Sequence, residues 1–167
     1  MSLTNKQLKE LFADVLKNHK NGIRTKVLYD RMREDCLIIL GAYVYRISDS
    51  ENPFKVDVDN RFFVTGDMSD GNANMFLYER NQSKLVRLEP TTNLIQMGKI
   101  KAFEFRKEGG SLVYVDEKIL FRFPSNRYDY FSKPSKYAGI FCIDRATGSH
   151  DGVMLPVLVN KESVDNG

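Results

Sequence analysis

A chain of 167 residues, 42% hydrophobic and 28% charged, has the composition of an ordinary soluble globular protein with enough apolar material for a core. No run approaches the roughly 20 apolar residues that a membrane-spanning helix needs, and the opening MSLTNKQLKELF lacks the apolar stretch of a secretory signal. The net charge of +3 is too small to establish an anionic partner, yet it is unevenly spread: residues 1–35 hold eight Lys/Arg against five Asp/Glu, residues 36–80 four against seven, and residues 81–133 ten against six.

The first element reads as a helix. Thr4 is a good N-cap, and Gln7 three residues on completes a capping-box spacing. Leu8, Leu11, Phe12, Val15 and Leu16 then repeat at helical intervals. His19 and Lys20 suit the negative end of the helix dipole, and Gly22 can adopt the left-handed position beyond it. A helix over about residues 4–20 follows. Thr25 is a second N-cap candidate, ahead of Val27, Leu28 and Met32 and the charged face Arg24, Lys26, Arg31 and Arg33, which predicts a second helix over about residues 25–35. Leu11, Val15, Leu16 and Leu28 are expected to seal this pair against the remainder.

From residue 37 the period changes to two. AYVYRI, FKVDV, RFFVTG, NMFLYE, KLVRLE, KAFEFR, SLVYVD, KILFRF, GIFCID and VMLPVLV are short, rich in β-branched and aromatic residues, and separated by turn chemistry. The turns are read at Asp59-Asn60, at residues 80–83, at Gly109-Gly110, at Asp116-Glu117-Lys118 and in TGSHDG at 147–152. No intervening stretch has room or periodicity for a crossover helix, which argues against a parallel α/β sheet. The expected fold is α+β: a helix-turn-helix-like N-terminal pair over residues 1–36, packed on a mainly antiparallel meander, bent sheet or small barrel over 37–160, with a flexible tail at 161–167.

Cys36 and Cys142 sit in apolar contexts, DCLIIL and IFCID, and are expected to be buried thiols of a cytoplasmic protein. His19 and His150 are not at ligand spacing to them, so neither a metal nor a cofactor is expected. Asp57, Asp59, Asp67 and Asp70 lack the spacing of a calcium loop or a nuclease site and read as a solvated strand face and turn. Ser149, His150 and Asp151, adjacent in sequence, cannot converge into a relay, and no catalytic residue is assigned.

Two segments carry a functional expectation. Through Leu11, Val15, Leu16, Gly22, Ile23, Leu28 and Met32 the first 35 residues resemble the helix-turn-helix and winged-helix family, which implies nucleic-acid contact. That family presents a third, recognition helix next, whereas here the chain runs into CLIILGAYVYRI. In FRFPSNRYDYFSKPSKYAGIF (121–141), the aromatics Tyr128, Tyr130 and Phe131 interleave with Arg127, Lys133 and Lys136, a pattern suited to base stacking beside phosphate neutralisation. The contact set is therefore Arg24, Lys26, Arg31, Arg127, Tyr128, Tyr130, Phe131, Lys133 and Lys136. The expected function is a non-catalytic regulatory protein acting on nucleic acid or on nucleic-acid machinery such as RNA polymerase. The alternative is a protein–protein interaction module. In size, mild basicity and lack of motifs the chain is similar to small phage early proteins that redirect host transcription, such as the Alc-type shut-off proteins, although no residue motif carries that likeness.

Overall fold

The computed structural model describes residues 3–30, 34–54, 61–67, 85–135 and 138–159. Most of FKVDV, all of NMFLYE, the turns at 59–60 and 80–83, the side chains of Asp57, Asp59, Asp67 and Asp70, the tail at 161–167, and Arg31 and Lys136 lie outside those residues. The chain divides into two compact units, Met1–Met75 and Phe76–Gly167. No helix among the described residues is long and apolar enough to cross a membrane.

The first unit begins with α1 (Asn5–Lys20), capped as its sequence predicts. The Gln7 amide donates to Thr4 Oγ1 at 3.1 Å and the Thr4 amide donates to Gln7 Oε1 at 3.0 Å. Its C-terminus closes as a Schellman turn: Gly22, at φ +73°, donates to the His19 carbonyl at 3.0 Å, and Ile23 donates to the Asn18 carbonyl at 2.8 Å. Four strands follow, β1 (Thr25–Asp30), β2 (Asp35–Ile39), β3 (Tyr43–Ser48) and β4 (Phe63–Asp67), hydrogen-bonded in the order β4-β1-β2-β3.

The expected helical pair is therefore corrected: α1 is followed by a strand, not by a second helix, and no helix-turn-helix is present among the described residues. The physical reason lies in TKVLYD. Thr25, Val27 and Tyr29 alternate onto one face, where Val27 meets Ile38 of β2 and Thr65 of β4. Pairing on both sides outweighs the three apolar positions, Val27, Leu28 and Met32, that suggested a helix. The same face carries the bonds to α1: Asn18 Nδ2 donates to Thr25 Oγ1 at 3.1 Å, and the Tyr43 hydroxyl donates to Asp14. Leu11 and Val15 are buried, as is Leu28 from within β1, but Leu16 is 50% exposed and does not help seal the unit.

A second correction concerns strand direction. β1 and β4 pair in parallel, Thr25 beside Phe63 through Tyr29 beside Asp67, so the sheet is mixed. No crossover helix is needed, because β2, β3 and a short 3-10 turn at Asp49–Glu51 occupy the described part of the chain between them.

The second unit is antiparallel, with β5 (Val86–Met97), β6 (Ile100–Lys107), β7 (Leu112–Asp116), β8 (Tyr128–Ser132), β9 (Ile140–Asp144) and β10 (His150–Met154) in the order β10-β9-β8-β5-β6-β7. Its core includes Leu88, Phe105, Val115, Phe123, Tyr128, Tyr130, Phe141 and Met154. KILFRF, expected as a strand, instead opens with the short helix α2 (Glu117–Leu120), because Asp116 Oδ1 accepts from the Lys118 amide at 2.9 Å and caps it. The aromatic and basic segment 121–141, in which no strand is read from sequence across YDYFS, contains β8. Cys36 and Cys142 are buried and form no disulfide among the described residues.

Candidate nucleic-acid interface

Three backbone segments of the first unit meet at one end. The last turn of α1 leads through the Gly22 turn into β1, and the parallel pairing brings the start of β4 alongside. The Thr25 amide donates to the Phe62 carbonyl at 2.8 Å, which fixes that junction. Lys17, His19 and Lys20 project from the helix end, Arg24 and Lys26 from the turn and β1, and Arg61 from the residues leading into β4; all six are exposed.

No Asp or Glu occurs between residues 15 and 29, so the run from Lys17 to Lys26 holds no acidic residue of its own. Lys17, Lys20 and Lys26 make no ion pair among the described residues. The His19 and Phe62 rings touch within the group, with centroids 4.6 Å apart and planes tilted by 51°. Ile23 beside them is 54% exposed. The arrangement offers several cations and an aromatic pair on a rigid junction, a chemistry suited to phosphates and flat rings.

Of the residues expected from sequence to make contact, Arg24 and Lys26 belong here, two positions apart on an extended chain rather than on a helix. Lys17, Lys20, Arg61, His19 and Phe62 fall outside that expected set. For the first, second and fourth of these the signal is the acid-free run KNHKNGIRTK; Arg61 and Phe62 carry none, because only the parallel β1–β4 pairing brings them in.

The 121–137 segment is arranged differently. Tyr128 and Tyr130 are each 1% exposed, with rings against Phe123 and Phe105. The Tyr130 hydroxyl donates to the Phe123 carbonyl, and burial drives its pKa far up. Both rings are core and are closed to a stacking base. Arg127 lies over the Tyr128 ring at 5.1 Å and its Nε donates to Asp144 Oδ2 at 3.1 Å. Phe131 and Lys133 are half-buried. The Lys133 and Ser135 carbonyls accept from the buried Lys107 ammonium at 2.9 and 2.6 Å, and burial lowers the Lys107 pKa.

Ser149, His150 and Asp151 do not form a relay. Ser149 Oγ donates to Asp151 Oδ1 at 2.8 Å, while the His150 ring packs on Phe141 and its Nε2 donates to the Gly152 carbonyl at 3.0 Å. Burial pushes Asp151 up to about 6, against the hydrogen bonds of Ser149 and Tyr128 and the charge of Arg127. In the first unit, Tyr29, Asp30, Glu34, Asp35 and Asp49 line a cleft of about 340 Å3, whose acidic lining is unsuited to phosphate. Comparison with protein-family models, with curated proteins and with solved structures found no match.

Proposed function

We propose that this protein is a non-catalytic regulatory protein that contacts the phosphate backbone of nucleic acid, alone or within a nucleic-acid machine such as RNA polymerase, through the basic end of its first unit. The observation that supports this reading is the acid-free group Lys17, Lys20, Arg24 and Lys26, joined by Arg61 across the parallel β1–β4 pair. Strands β2 and β3, where a recognition helix would be needed, favour contact by charge over reading of bases. The buried thiols Cys36 and Cys142 favour a cytoplasmic setting.

The test is oligonucleotide affinity as a function of salt. Affinity should fall steeply as salt rises, and neutralising Lys17, Lys20 and Lys26 together should flatten the slope by roughly one unit for each phosphate no longer neutralised. Absence of binding at low salt would remove this reading. It would favour the alternative, a protein–protein module, which the exposed Phe12, Leu16 and Ile23 in the same unit support.

A further inference from the structure

We infer that the basic end of the first unit takes single-stranded nucleic acid, with an unpaired base stacking on the His19–Phe62 pair. This deepens the function proposed above and rests on it. A surface that only neutralised phosphate would need cations alone. Here His19 is exposed and Phe62 half-buried, their rings meet at 4.6 Å, and cations lie at neighbouring positions: Lys17 and Lys20 around His19, and Arg61 next to Phe62.

The backbone that carries the pair is held in place. The Phe62 carbonyl is bonded to the Thr25 amide at 2.8 Å, Thr25 Oγ1 to Asn18 at 3.1 Å, and His19 sits in a helix end closed by the Gly22 turn. A stacking surface fixed in advance loses little side-chain freedom on binding. Duplex bases are stacked within the helix and offer this pair nothing, whereas an unpaired base brings a π-face of any sequence. The ring pair therefore discriminates strandedness, and the surrounding charge supplies affinity.

The expected ligand is a single strand, DNA or RNA, bound with little sequence preference. The experiment compares a fluorescein-labelled oligothymidylate of roughly a dozen nucleotides with a duplex of equal length by anisotropy at low salt. A second strand carrying 2-aminopurine reports stacking directly through its fluorescence. The single strand should bind at least several-fold more tightly and its 2-aminopurine should be quenched. His19→Ala, and separately Phe62→Leu, which keeps apolar bulk but removes the π-face, should each weaken single-strand binding about ten-fold and duplex binding far less. An oligouridylate run beside the oligothymidylate separates RNA from DNA as the preferred source. Equal affinity for single strand and duplex, with both variants silent, would overturn the stacking inference and leave the charge-based function standing. Failure of both forms to bind would overturn the two together.

Discussion

Asp144 and Asp151 lie 3.1 and 3.8 Å from the same Arg127 guanidinium, yet their acidities move in opposite directions. Burial pushes both carboxyls up. At Asp144 the Arg127 hydrogen bond and the Thr147 and Ala146 amides outweigh it, and its pKa falls below the usual carboxylate range. At Asp151, whose Oδ2 accepts no hydrogen bond among the described residues, burial prevails and the pKa is pushed up to about 6. The consequences for stability are opposite in sign. Asp144 stabilises the fold above its unfolded pKa near 4 and loses that contribution as pH falls. Asp151 holds its proton more tightly folded than unfolded, so stability declines as pH rises from about 4 to about 6, by at most about 3 kcal/mol. Asp151→Asn, which mimics the protonated form, should flatten that decline in denaturant titrations at pH 4.5, 6 and 7. The same pH slope in wild type and variant would show that Asp151 is charged at no cost in the fold.

At the scale of elements, β1 decides how the N-terminal region works, and proline separates strand from helix there. In a helix capped by Thr25, residue 26 would be the first helical position, where proline is favoured. In a strand paired with β2 on one side and β4 on the other, proline removes a ladder donor and leaves a carbonyl unmatched. Lys26→Pro should therefore cost about 2 kcal/mol or more by thermal or chemical unfolding. An unchanged or raised stability would mean that this segment does not pair as a strand. The misreading of TKVLYD and of Tyr128–Ser132 has a common cause. Local pattern was legible where the signal lay in adjacent residues: the Thr4–Gln7 cap, the Gly22 stop, and the alternation of the short strands at 43–48, 101–106 and 112–116. It failed where tertiary pairing decided the state. Tyr128, Tyr130 and Ser132 alternate inward between β5 and β9, and that period of two was present in YDYFS but was masked by the nearby prolines and basic residues. Two members of the candidate interface were likewise hidden, since nothing in sequence places Arg61 and Phe62 beside Thr25.

For the molecule as a whole, the question is whether its overall charge or its local arrangement governs association with a polyanion. A net +3 spread over 167 residues is a weak field, and at physiological ionic strength charges farther apart than about 8 Å act almost independently. Arg145 and Lys20 make a matched comparison, because each is exposed and each contributes one charge to that total. Arg145 is engaged: its Nε donates to Asp129 at 3.1 Å and its Nη2 to the Ser125 carbonyl at 3.0 Å, while Arg87 shares the same Asp129. Lys20 stands in the acid-free stretch between residues 15 and 29 with no ion pair among the described residues. A phosphate can approach Lys20 without displacing a carboxylate, whereas at Arg145 it must compete with Asp129. Lys20→Gln and Arg145→Gln lower the net charge equally. The local account expects Lys20→Gln to weaken oligonucleotide binding several-fold and to reduce the salt slope by up to about one unit, with Arg145→Gln nearly silent. Equal losses from the two variants would show that the general field of the protein, and not the junction of α1, β1 and β4, draws the polyanion in.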